Sequence, residues 1–282
     1  MKVEDSKEKG SSFYLGFLFL SKPKREALAA VYAYCRHIDD IVDAGDLTAE
    51  AARHELGFWH DELDRLFGGR PTHRVSLRLA PHVRRFALAK EPFLEVLKGC
   101  EMDLGQVRYE SFAELQAYMA RVASAVGLIL VEIFGHRATP PELLREFAMD
   151  FGYAFQLTNI IRDVGADLDK GRVYLPAADM REKGCALESL LRRERTEAFL
   201  AVMERQYLRA KGFYRKARES LDPADRPAML PAEVMAHVYE GLLEDIRASG
   251  FDVLRTAPRQ GALRKAGRAL KAWLYCRGFT GA

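Results

Sequence analysis

Cysteine is scarce and unpatterned in this sequence. The four residues, Cys35, Cys100, Cys185 and Cys276, show no CxxC spacing and no Cys/His pairing. That excludes a disulfide framework or a zinc site and reads as reduced, mostly buried thiols in a cytosolic setting. No charge of one sign dominates either: 43 basic residues stand against 40 acidic ones, a net charge of +3. Nucleic-acid binders carry a basic excess, so no nucleic-acid partner is expected. No uninterrupted apolar run reaches the roughly 18 to 20 residues of a membrane span, and the polar opening "MKVEDSKEKG" lacks the apolar stretch of a signal peptide. The expected location is the cytoplasm, with peripheral attachment to the inner face of a membrane as the alternative. A glycine-rich phosphate loop, a nucleophile elbow and an HExxH string are all missing, which excludes kinase-like, α/β-hydrolase and zincin chemistry.

What is present is helical periodicity throughout, without strand alternation bounded by hairpin turns. A first helix is predicted from Ser21 to about Ala44, with Pro23 in its first turn. A second runs from near Thr48 to the stop at Gly68-Gly69, and Pro81 and Pro92 punctuate two more. Ser111 and Glu114 are spaced as a capping box opening a helix that ends at Gly135. Pro140-Pro141 launch another through about Val164, and further helices fit residues 187–219, 231–249 and 261–276. With 49% apolar residues and neither repeat nor linker, residues 1–282 read as one all-α domain of roughly ten helices.

Within that frame, "YCRHIDDIVD" (34–43) sets three aspartates among apolar neighbours. Tyr32, Arg36, Asp39 and Asp43 follow one another at four, three and four residues and so share one helix face. Val31, Tyr34, Cys35, Ile38, Ile41 and Val42 make the remaining surface apolar, the mark of a buried helix. The pattern returns in "FQLTNIIRDVGAD", where Gln156, Asn159, Asp163 and Asp167 again form one stripe. One such string alone is usually a solvated acidic face. Two of them, each beside an arginine on an apolar helix, point to polar stripes facing an internal cavity. Four buried carboxylates without counter-charge cost several kcal/mol each, and Arg36 and Arg162 offset only part of that. Hard oxygen ligands on opposed helices suit Mg²⁺, which takes one or two carboxylates and fills its other positions with water and phosphate oxygens. The implied ligand is a Mg²⁺-bound diphosphate whose free oxygens are held by the arginines. His37 falls off the stripe and reads as structural.

At these residues the sequence resembles the squalene/phytoene synthase family, the head-to-head class of isoprenyl diphosphate condensing enzymes. The matching strings are "GSSFYLGFLFL" (10–20), "YAYCRHIDDIVDAGD" (32–46), "YMARVASAVG" (118–127) and "GYAFQLTNIIRDVGADLDKGRVYLP" (152–176). The resemblance implies the all-α isoprenoid synthase fold around a central hydrophobic cavity. It implies Mg²⁺ as cofactor, held by Asp39, Asp43, Asn159, Asp163 and Asp167. Diphosphate binding would fall to Ser12, Arg36, Gln156, Asn159 and Arg162, with Tyr32, Arg36 and Tyr239 in catalytic positions at the cavity edge. A basic residue near the carboxyl end, Arg264 or Lys265, would complete the set. Phe13, Tyr14, Phe17, Phe151 and Phe155 are candidates for the cavity wall or, equally, for the core.

Within the family, "GSSFYLGFLFL" followed by "YCRHIDDIVDAGD" looks most like the bacterial members that join two farnesyl diphosphates into presqualene diphosphate for hopanoid synthesis. Downstream enzymes of that pathway are then expected partners. Squalene-forming members carry a tyrosine just before "VAG"; Arg121 stands there, which fits a reaction stopping at presqualene diphosphate. The alternatives are phytoene, dehydrosqualene or squalene synthesis on the same fold. A non-catalytic assembly subunit or a prenyl-lipid carrier would not need two intact acidic stripes.

Overall fold

A computed structural model describes residues 20–43, 47–105, 107–258 and 260–278. Ser12, Phe13, Tyr14 and Phe17 lie outside the described residues, so their expected roles stand as sequence readings. Twelve α-helices span the described residues, and one isolated bridge, Arg108 with Val173, is the nearest thing to a strand among them. In chain order they are α1 (Lys22–Asp43), α2 (Ala49–Phe67), α3 (Arg74–Arg85), α4 (Glu91–Met102), α5 (Phe112–Met119) and α6 (Ala125–Phe134). After these come α7 (Pro141–Asp169), α8 (Ala177–Glu182), α9 (Leu187–Leu191), α10 (Glu197–Ser220), α11 (Leu230–Ala248) and α12 (Ala262–Cys276).

The predicted starts hold where a cap is present. Thr48 accepts from the Ala51 N–H and Ser111 from the Glu114 N–H. Glu114 reaches back to the N–H of Glu110, one residue short of the reciprocal capping box. Two predicted elements differ. The helix from Pro141 continues past Val164 to Asp169, because nothing in "GADLD" breaks it; Gly165 is needed where its Cα passes Leu254, an added Cβ lying 2.4 Å from that carbonyl oxygen. The single helix expected over 187–219 is two, split at Arg193, whose φ of 57° no helix accommodates.

Between α5 and α6 the chain makes one π-turn, Ala120–Ser124, a feature common beside functional sites. Together they form a stretch, Phe112–Phe134, apolar and long enough by composition to cross a membrane, contrary to the sequence expectation. Scattered charges at Glu114, Arg121 and Glu132 hide its length from a search for uninterrupted runs. Half of it is buried inside the protein, packed on α7. There Gly152 takes the Ser124 backbone so closely that a Cβ would sit 2.3 Å from its Cα. His37 packs its ring 5.0 Å from both Trp59 and His73, the structural role expected of it.

Candidate active site

Helices α1, α4, α6, α7 and α11 enclose a cavity of about 780 Å³. Two of them, α1 and α7, run along it in the same sense. On α1 the lining passes from Leu28 through Val31, Tyr32, Cys35 and Arg36 to Asp39 and Asp43. On α7 it passes from Phe147 through Phe151, Phe155, Gln156 and Asn159 to Asp163 and Asp167. The stretch α5–α6 runs the opposite way, from Tyr118 through Val122 and Val126 to Val131 and Phe134, and α11 adds Ala232, Met235 and Tyr239. One end is therefore acidic and the other aliphatic and aromatic. Both predicted stripes face this one space: Tyr32, Arg36, Asp39, Asp43, Gln156, Asn159, Arg162, Asp163, Asp167 and Tyr239 all line it.

The acidic end is electrostatically uneven. Burial and then the neighbouring Asp43 push the Asp39 carboxyl up to about 6. Burial and then Asp163 push Asp167 up to about 7. Asp43 goes the other way. Burial would raise it, but Lys170 Nζ at 2.6 Å and Arg172 Nη1 at 2.7 Å hold it below the usual carboxylate range. Arg36 turns to Asp39 (3.1 Å) and Asp40 (2.6 Å). Arg162 donates through Nε to Asp163 Oδ1 at 2.7 Å, with the Tyr239 hydroxyl beside it.

Three lining residues escaped the sequence reading. Asp103 follows the last residue of α4 and accepts from the hydroxyls of Tyr118 (2.8 Å) and Tyr174 (2.9 Å), and its charge is felt by Asp39 and Asp167. Burial, and in turn Asp43, raise Asp103. Asp103 stands on a loop, so no helical spacing pointed to it. Lys170 and Arg172 lie just beyond the end of α7, in "DLDKGRVYLP". They bring basic charge to the acidic end of the cavity, where both pair with Asp43. Arg264 is 71% exposed and pairs with Asp245 at 3.4 Å; neither it nor Lys265 lines the cavity. Arg121 also stays off the cavity, its Nε 3.2 Å from Glu95 on the outer side of the π-turn.

The donors fit a divalent cation. Asn159 Oδ1 is buried with no hydrogen-bond partner, and two carboxylates carry a repulsion that a cation would relieve. Among the described residues no three acidic, histidine or cysteine side chains already form a metal cluster. Beyond the acids, Phe147, Phe151 and Phe155 repeat every four residues on α7, their rings 4.7 and 5.6 Å apart, and Tyr239 closes the row 5.3 Å from Phe155. Such a row presents π faces to a positive charge.

The comparisons agree with this arrangement. The family model described as squalene/phytoene synthase matches residues 6–265, and the chain belongs to that family. Its members are head-to-head prenyltransferases that bind isoprenyl diphosphates and use a divalent metal for the diphosphate. A chloroplastic phytoene synthase of Narcissus pseudonarcissus is 34% identical over 251 residues, 87% of this chain and 58% of that protein. The chain thus spans little more than half the length of that relative. A 15-cis-phytoene synthase of Synechococcus elongatus is 33% identical over 254 residues, 86% of this chain and 82% of that one. Among solved structures, a dehydrosqualene synthase in complex with ligand superposes with a TM-score of 0.84 at 28% identity, covering 95% of this chain and 92% of that one. The squalene synthase HpnC from Alicyclobacillus acidocaldarius gives 0.73 at 27%, covering 85% and 89%.

Proposed function

We propose that this member of the squalene/phytoene synthase family joins two farnesyl diphosphates head to head into presqualene diphosphate, releasing one diphosphate, with Mg²⁺ as cofactor. The observation that carries the reading is the division of one cavity into an acidic end with two opposed carboxylate stripes and an aromatic, aliphatic remainder. Asp39, Asp43, Asn159, Asp163 and Asp167 would hold the metal, which when bound supplies positive charge to the departing diphosphate. Arg36, Arg162, Lys170 and Arg172 would grip its remaining oxygens, exchanging their present carboxylate partners for phosphate. Once the diphosphate leaves, Phe155 and Tyr239, the members of the aromatic row nearest the acids, face the allylic cation, and the apolar wall keeps water from quenching it. The 2,3-double bond of the second substrate attacks that cation, and loss of a proton closes the cyclopropane. The proton goes to the released diphosphate or to Tyr32, which lines the same end.

The prominence of phytoene synthases among the relatives favours one rival, condensation of two geranylgeranyl diphosphates. Purified protein given Mg²⁺ and either substrate, without a nicotinamide, separates the two. Presqualene diphosphate from farnesyl diphosphate is the expected product; phytoene from the longer substrate, with farnesyl diphosphate left unused, would replace this reading by the rival.

The place of reaction is part of the proposal. Helix α12 carries Arg264, Lys265, Arg268 and Lys271 and no acidic residue, and it leaves Leu263 90% and Leu270 58% exposed on one face. A basic helix with exposed leucines suits an anionic bilayer surface. Vesicles containing phosphatidylglycerol should sediment the protein in low salt. Replacing both leucines by aspartate should cut that binding at least tenfold. Equal binding to neutral vesicles, or none lost in the double variant, would contradict the docking face.

A further inference from the structure

On the far side of α6 lies a second hollow of about 650 Å³, walled largely by apolar residues including Leu88, Pro92, Leu128, Ile129 and Leu144. Only one described residue lines both spaces, Val131. It is 4% exposed and sits one turn before Phe134, at the end of the cavity remote from the acids. Counted along the helical stretch from Tyr118, whose hydroxyl touches Asp103, Val131 lies roughly 20 Å deep at 1.5 Å per residue. A prenyl chain anchored by its diphosphate among the carboxylates must therefore point its tail toward this residue.

We propose that Val131 is the partition that sets the longest prenyl chain the enzyme accepts. The inference rests on the prenyl-diphosphate reading of the cavity and adds the residue that limits tail length. Its isopropyl group closes the deep end against the second hollow. Removal of its two methyl groups joins the two spaces, and the extra isoprene unit of a geranylgeranyl chain, about one helical turn in length (~5.4 Å), passes into a groove already lined with apolar side chains. Among the described residues no other side chain at the deep end lines both spaces. Phe134 and Phe147 line the first cavity but not the second hollow, so trimming them enlarges the cavity without reaching the groove, whereas trimming Val131 opens a channel.

The test uses binding rather than turnover. Unreactive thiolodiphosphate analogues of farnesyl and geranylgeranyl diphosphate are titrated with Mg²⁺ by calorimetry into wild type, Val131→Ala and Val131→Phe. Val131→Ala should shift the ratio of the two Kd values at least tenfold toward the longer analogue, and Val131→Phe should shift it the other way, both with circular dichroism like wild type. If Val131→Ala does not fold, the opposite shift in Val131→Phe decides alone. Binding of the farnesyl analogue with an unchanged ratio in the folded variants overturns the partition. Failure of wild type to bind either analogue overturns the prenyl-diphosphate reading itself, and the partition with it.

Discussion

Replacement of Asp39 or of Asp163 by alanine is expected to lower turnover of farnesyl diphosphate by at least a thousandfold while leaving helical content unchanged. The two effects separate for a physical reason. Neither carboxylate holds the fold: each lies in the wall of a cavity, and among the described residues each is bonded only to an arginine within its own helix, Arg36 for Asp39 and Arg162 for Asp163. Both stand where the leaving diphosphate would need its countercharge, and such transition-state contacts are worth several kcal/mol each. Steady-state kinetics with and without EDTA, beside circular dichroism, checks the result. Near-normal activity in either variant, or activity that survives chelation, would remove the metal–diphosphate proposal.

Asp167→Asn should stabilise the metal-free protein and disable it at once. An acid whose folded pKa is raised, to about 7 here and about 6 at Asp39, binds more protons folded than unfolded between the unfolded value near ~4 and the folded one. Stability therefore falls as pH rises through that window, and the full cost is present above it. Allowing for partial exposure, asparagine recovers about 1–2 kcal/mol at neutral to alkaline pH, a rise in Tm of a few degrees, and nothing near pH 4. Mg²⁺ binds the deprotonated carboxylates and releases protons, so it should raise the wild-type Tm clearly near pH 8 and hardly near pH 5. Thermal melts across pH, with and without Mg²⁺, read both effects. A destabilised Asp167→Asn at pH 8, or a Mg²⁺ effect larger in acid, would show that these carboxylates carry no unrelieved repulsion.

The stripes on α1 and α7 were legible because a helix repeats its faces: spacings of three and four put Asp39 with Asp43 and Asp163 with Asp167 before any coordinate is known. The apolar remainder of each helix told which way the acids must face. Asp103, Lys170 and Arg172 were not legible in that way, since they stand on turns after α4 and α7 where no period constrains direction. Arg264 misled because a basic residue in sequence says nothing of which side of α11 its helix packs on; α12 covers the outer face, against Val234 and Leu230. The break at Arg193 likewise depends on contacts far along the chain: its guanidinium donates to the Leu254 carbonyl at 2.7 Å and pairs with Asp169, and these hold a backbone conformation that local propensity disfavours.

Two carboxylate stripes sharing one ligand across a greasy hollow carry the proposed activity. The most direct measurement is a crystal grown with Mn²⁺ and pyrophosphate, read by anomalous scattering. Metal peaks between Asp39 or Asp43 on one side and Asn159, Asp163 or Asp167 on the other, bridged by pyrophosphate, are the predicted result. Pyrophosphate bound elsewhere, or manganese found only on the outer surface, would contradict it.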